Sequence, residues 1–323
     1  MEAQDHALEA ERRGHGAGLW RKGDAGSTAV DVGGAGGFGG RIMLKRLIVP
    51  LAALLLSSCS LLGEDADPAL WVVKDEDTTI YLFGTIHVLK PGMNWFDEGI
   101  REAFDASDEV VLEIARPDPN AIAALTAQLG TRGGPPFAPE VDAAARDLGM
   151  PEGAIDKQEP WLAAITLNQL AVTKAGYCNA QGVEAALSDA AEDAGKPVKA
   201  LESARGQLML FDGLPGAAQS AMLDATVKAL PGTKARLDRF VAAWAKGDAE
   251  SVGAEMNRTA QAAPEVAEAL ITRRNARFAD WVAARMDQPG TVFFAVGAGH
   301  LAGRGSVQDL LGEKGLTVER VVY

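Results

Sequence analysis

Cysteine is nearly absent: Cys59 and Cys178 are the only two in 323 residues. If Cys59 carries a lipid, Cys178 has no intrachain partner and a disulfide framework is excluded. Positive charge is in deficit, with 31 Lys and Arg against 44 Asp and Glu and a formal net charge of −13. Such a balance excludes nucleic acid as a partner, because phosphate backbones demand a basic surface. Histidine is scarcer still, at four: His6, His15, His87 and His300. The apolar run at residues 47–56 is too short to cross roughly 30 Å of hydrocarbon as a helix. What is present is 47% hydrophobic and 23% charged residues. That is the composition of a globular chain able to bury a sizeable core, as one large domain or two small ones.

Residues 1–42 are rich in Gly, Ala and charge and show no apolar periodicity, so they read as a disordered or misassigned leader. Met43 opens a different pattern: Lys45 and Arg46, the short apolar run, then Leu56-Ser57-Ser58-Cys59. A basic start, an apolar stretch and a small-residue site describe a secretory signal. Leu-Ser-Ser-Cys also resembles a bacterial lipobox, which makes residues 43–58 a lipoprotein signal peptide and Cys59 the lipidated (palmitate-bearing) new N-terminus. The plainer alternative is a signal peptide with an incidental cysteine. On the first reading residues 59–69 form a short tether and 70–323 a single domain. Ser60 favours the outer membrane, with the domain facing the periplasm and held by the Cys59 lipid. Cys178 then has no intrachain partner and is a free, partly buried thiol.

Within the domain, Leu70-Trp71-Val72-Val73 and residues 78–83 are β-prone runs separated by Lys74-Asp75-Glu76-Asp77, a hairpin signature. Phe96, Ile100, Ala103 and Phe104 lie on one helical face, and Glu109-Val110-Val111-Leu112-Glu113-Ile114 is a short apolar strand. That strand–helix–strand order suits parallel pairing with a crossover. Residues 120–290 read as mostly helical, with Thr233 as a helix cap, Pro264 opening a later helix and Gln288-Pro289-Gly290 closing it. A short strand ends at Glu202. Residues 291–296 and 316–322 are further strands flanking a helix. The predicted class is mixed α/β: one central sheet made by the two ends of the chain, with a helical insertion between them.

Outside the leader only His87 and His300 remain, each in Gly-x-x-His and each following a β run. Strand ends in α/β sheets hold binding crevices, and glycine permits the sharp turn there. Imidazole serves as a metal ligand or a general base, and two structural histidines are the plain alternative. Glu113 interrupts a run that should be buried, so it needs a metal, an arginine or backbone donors. Glu202 ends its strand in the same way, though Lys199 or Arg205 could simply pair with it. Asn275 falls in the apolar stripe of Ile271, Phe278 and Val282, and Arg274 lies beside that stripe. Glu184, in the first turn after Gly182, is what a helix dipole alone favours.

Together these pieces resemble the TraB/GumN family and its Tiki-type relatives. Further matches are Gly84-Thr85-Ile86-His87, Pro160-Trp161, Gly182-Val183-Glu184, Gln207, Arg274-Asn275 and Gly297-Ala298-Gly299-His300. Members usually carry Glu-Thr where this chain has Glu202-Ser203. The resemblance implies a fold shared with erythromycin-esterase-like and ChaN-like proteins. For Tiki-type members it also implies metal-dependent peptide cleavage at the two histidines and the glutamate. The leading expectation is thus a metallohydrolase acting on a peptide or small molecule. His87, His300, Glu113 and Glu202 would hold Mn²⁺, Co²⁺ or Zn²⁺, and Glu113, Arg274 and Asn275 would assist catalysis, the last two by steadying an oxyanion. Two alternatives stand beside it: a metal-independent esterase with a histidine base, and a non-catalytic lipoprotein that binds haem, metal or a small ligand.

Overall fold

Alternation along the central strand shows why this sequence builds a sheet with two covered faces. In Gly290–Gly297, Phe293 and Ala295 enter one apolar cluster while Val292, Phe294 and Val296 enter the other. Successive side chains of a strand point to opposite faces, so a run buried throughout demands packing on both. The computed structural model describes residues 64–116, 118–262 and 264–323. The expected leader (1–42), the expected signal peptide (43–58) and the expected lipid site Cys59 lie outside the described residues.

In chain order the first elements are β1 (Glu64–Asp65), β2 (Leu70–Lys74), β3 (Thr78–Thr85), β4 (Met93–Asn94), α1 (Glu98–Ala106) and β5 (Glu109–Ile114). A helical stretch follows: α2 (Pro119–Leu129), α3 (Pro139–Asp147), α4 (Pro160–Lys174) and α5 (Val183–Asp193). One strand, β6 (Val198–Glu202), interrupts it before α6 (Ala204–Asp212), α7 (Gly216–Ala229), α8 (Thr233–Ala245), α9 (Ala249–Ala262) and α10 (Pro264–Ala267). A π-helical turn, Glu268–Thr272, leads into α11 (Arg273–Arg285), then β7 (Gly290–Gly297), α12 (Val307–Glu313) and β8 (Val318–Arg320). The described residues, from Glu64 to Tyr323, form one compact unit. No helix of the described residues is long and apolar enough to cross a membrane.

The mixed α/β architecture is present, with the sheet ordered β6-β5-β7-β3-β2-β8. The hairpin of β2 and β3 is antiparallel, with Leu70 opposite Phe83. The first and last parts of the domain do meet in one sheet: β3 pairs in parallel with β7, and β8 closes the edge against β2. One detail differs from the sequence reading. β3 and β5 are parallel but not neighbours, because β7 inserts between them. Thr233 is likewise not a cap; it is buried as the first residue of α8, and Gly232 precedes it as the cap. The last strand is shorter than residues 316–322.

Register puts four parallel strand ends on one rim. Thr85 lies opposite Gly297, Leu112 opposite Ala295 and Ile114 opposite Glu202. Beneath that rim Phe83 stacks on Trp95 at 5.6 Å, and the Trp244 indole N–H donates to the Gly84 carbonyl at 2.7 Å. Such an aromatic layer stiffens the strand end that carries His87.

Candidate active site

His87 leaves the rim two residues beyond β3, and His300 sits in the 3₁₀ turn Ala298–Leu301 just after β7. Both side chains line one cavity of about 370 Å³. Glu113 and Arg274 complete its polar floor, and Leu210, Phe211, Leu237, Phe240 and Met256 contribute apolar walls.

Glu113 shares the face of β5 that Val111 occupies, and that face packs against α11. The register therefore aims its carboxylate at Arg274. Arg274 Nη2 donates to Glu113 Oε1, and Gln207 Nε2 donates to the same oxygen at 2.6 Å. The Gly297 N–H donates to Oε2 at 3.1 Å. Burial raises the Glu113 pKa, but Arg274, the two histidines and the Gly297 N–H together outweigh it and the carboxyl settles at about 2. The requirement that this carboxylate find a partner is thus met by an arginine and a backbone amide.

Glu202, at the end of β6, receives Arg274 Nη2 at 2.8 Å, Gln207 Nε2 at 2.9 Å and Arg277 at 2.5 Å. Burial opposes its ionisation, and the hydrogen bond from Arg274 leads the groups that lower its pKa below the usual range. Lys199, offered by the sequence as a partner, instead reaches Glu109.

The tautomer of His300 follows from its neighbours. Asn275 Nδ2 donates to the Gly305 carbonyl at 2.7 Å, which turns Oδ1 toward the ring. His300 Nδ1 donates to that oxygen at 2.6 Å, leaving a lone pair on Nε2 that accepts from Arg274 Nη1 at 3.0 Å. Burial above all drives the His300 pKa down to about 4, so the ring is neutral at pH 7.

Arg274 was expected to steady an oxyanion, but all its donors are committed. Its guanidinium carries five N–H groups, and they end on Leu270 O, His300 Nε2, Glu113 Oε1 and both oxygens of Glu202. Asn275 is committed on both ends as well. Arg274 has no donor left for a developing charge, while Asn275 spends its oxygen on His300 and one of its two N–H groups on the Gly305 carbonyl. The guanidinium takes the centre where His300, Glu113 and Glu202 would have to converge to hold a metal. Among the described residues no group of three or more His, Cys, Asp or Glu can hold a metal ion. The donor set does not fit the Mn²⁺, Co²⁺ or Zn²⁺ expectation.

His87 stands apart from this latched floor. Its Nδ1 lies 2.6 Å from Glu184 Oε1, which also accepts from Thr85 Oγ1 at 2.5 Å. The hydrogen bond to Glu184 raises the His87 pKa to about 9 against the opposing effect of burial. Although His87 is set deep among protein groups, its side chain is 66% exposed, because it faces the open cavity. Glu184 is the functional residue that the pattern hid, since its helix-start position has a sufficient explanation of its own. The signal was Gly182: a Cβ there would lie 2.3 Å from the His87 carbonyl oxygen, so only glycine lets α5 approach this closely. The Val183 N–H then donates to the Ile86 carbonyl at 3.0 Å and fixes the register of Glu184 against His87. Gln207 entered only through the resemblance, and no local pattern marks it.

A mixed sheet whose parallel strands end in two Gly-x-x-His turns above a buried arginine–carboxylate cluster defines the class. Residues 69–320 match the TraB/PrgY/gumN family, and the chain belongs to it. It is 24% identical over 308 residues to an uncharacterized protein of Treponema pallidum (strain Nichols), across 85% of this chain and 92% of that one. No solved structure matches it.

Proposed function

We propose that this protein hydrolyses a carbonyl ester or a related bond without a metal, and that His87 transfers the proton. The observation that carries the reading is the free ring nitrogen. Of the titratable groups lining the cavity among the described residues, His87 Nε2 is the one without a partner, while Glu184 holds Nδ1 on the other side. A histidine oriented by a carboxylate, with its second nitrogen turned to a cavity, is the base half of a hydrolytic dyad.

In this mechanism Nε2 removes a proton from water as the oxygen attacks the carbonyl carbon. The imidazolium formed is held by Glu184, and its Nε2–H returns the proton to the departing oxygen when the tetrahedral intermediate collapses. The floor around Arg274 supplies a rigid, charge-balanced wall and keeps His300 neutral. Because the reactive form is the uncharged His87 ring, the rate rises with pH about tenfold per unit until about 9.

Turnover of a model ester after exhaustive chelation is the test. The reading expects full activity without metal and a loss of about 10²- to 10⁴-fold in His87→Gln. Activity abolished by chelator and restored by Mn²⁺, Co²⁺ or Zn²⁺ would return the site to metal chemistry. Placement in the cell envelope, on a lipid at Cys59, belongs to the same proposal.

A further inference from the structure

A second cavity, of about 480 Å³, adjoins the first and shares Met256, Leu270 and Ile271 with it as a common wall. It lies between α7, α9 and the π turn, lined by Met222, Ala225, Ala229 and Val266 among others. Of its polar lining groups, Thr226 Oγ1 donates to the Met222 carbonyl at 2.9 Å. Arg236 donates to the Ala229 carbonyl and Thr233 Oγ1, each at 3.4 Å, and Arg258 pairs with Glu255. Asn168, exposed on α4, completes the polar lining, and a peptide, which brings a donor and an acceptor at every residue, would leave most of them unmatched along such a wall. A hydrocarbon chain asks for nothing the wall lacks.

Met256 is the flexible member of the dividing wall. Met256 is unbranched, and a Cβ added at Gly299 would meet its Cε at 2.6 Å, so the side chain lies directly against the turn that carries His300. Leu270 and Ile271 belong to the π turn Glu268–Thr272, a distortion that recurs at functional sites. The Leu270 carbonyl accepts from Arg274 Nη1 at 2.9 Å, which ties this wall to the floor beneath the histidines.

We propose that the second cavity is the acyl-chain subsite of the hydrolase and that the substrates are esters of long, unbranched fatty acids. The proposal rests on the hydrolytic reading of His87. The ester carbonyl sits at His87 Nε2, and the chain passes Met256 and Leu270 into the space beside α7.

The test uses p-nitrophenyl acetate, butanoate and octanoate as substrates, and calorimetric binding of dodecanoate as a readout independent of turnover. A buried methylene is worth about fourfold, so kcat/KM is expected to rise at least about a hundredfold from acetate to octanoate. In Ala225→Trp and in Ala229→Phe, both on the half-buried face of α7, the octanoate-to-acetate ratio is expected to fall toward one and dodecanoate binding to weaken by a similar factor. Dodecanoate binding that Ala225→Trp weakens, with no ester cleaved, would sustain the subsite and sink the hydrolytic reading. Cleavage of acetate with no gain in octanoate and no dodecanoate binding would sink the subsite and leave that reading standing. Neither cleavage nor binding would overturn both.

Discussion

His87 and Glu184 form an ion pair whose behaviour is decided by one hydrogen bond. The ring's pKa moves from an ordinary 6.5 to about 9 chiefly through Glu184. Glu184→Gln therefore brings the His87 titration back toward 6.5, which NMR of the ring protons reads directly. The folded-state value lies above the unfolded one, so the pair's stabilisation is complete below about pH 6.5 and lost as pH climbs through about 9. Thermal melts should show the gap between wild type and Glu184→Gln closing over that interval. At this scale the sequence was partly legible. His87, His300 and Glu113 stood out because each breaks an apolar pattern at a strand end. Glu184 did not, because an acid in a first helical turn needs no further reason, and Gly182's close approach to the His87 carbonyl exists only in three dimensions.

Helix α11 and the π turn before it carry the floor of the site. Arg274 is buried against two buried carboxylates, with side-chain exposures of 7% for the arginine and 8% and 9% for Glu113 and Glu202. Removing the arginine strands both charges away from water. Arg274→Met is expected to cost about 3–5 kcal/mol of stability, seen as a fall in the midpoint of denaturant unfolding. Arg274→Lys should recover little, since an ammonium cannot reproduce the fork that serves His300 and both glutamates. A variant as stable as wild type would show that the carboxylates find other partners. The apolar stripe of Ile271, Phe278 and Val282 exposed Asn275 as an anomaly in the sequence. The hydrogen-bond commitments of Arg274 and Asn275 were not legible there, because spacing reveals which side chains are buried, not how many of their donors are already used.

On the scale of the whole molecule, distant segments make one rim. β3 pairs with β7 across more than half the chain, and β8 returns to β2. Hydrophobic runs announced these strands, and the two Gly-x-x-His turns announced where they end. Sheet order was not legible, because nothing local states that β7 rather than β5 lies beside β3. The proposed envelope anchor is a separate matter of chemistry at Cys59: incorporation of labelled palmitate that Cys59→Ser abolishes is the expected outcome, and equal labelling of both would contradict it.

The most direct measurement is the pH dependence of kcat/KM for a model ester in chelator, recorded for wild type and for Glu184→Gln. The account predicts a rate that climbs to a plateau near pH 9 in wild type, with the inflection displaced toward 6.5 in the variant. An inflection that stays at one pH in both proteins, or a rate that declines on the approach to pH 9, would contradict it.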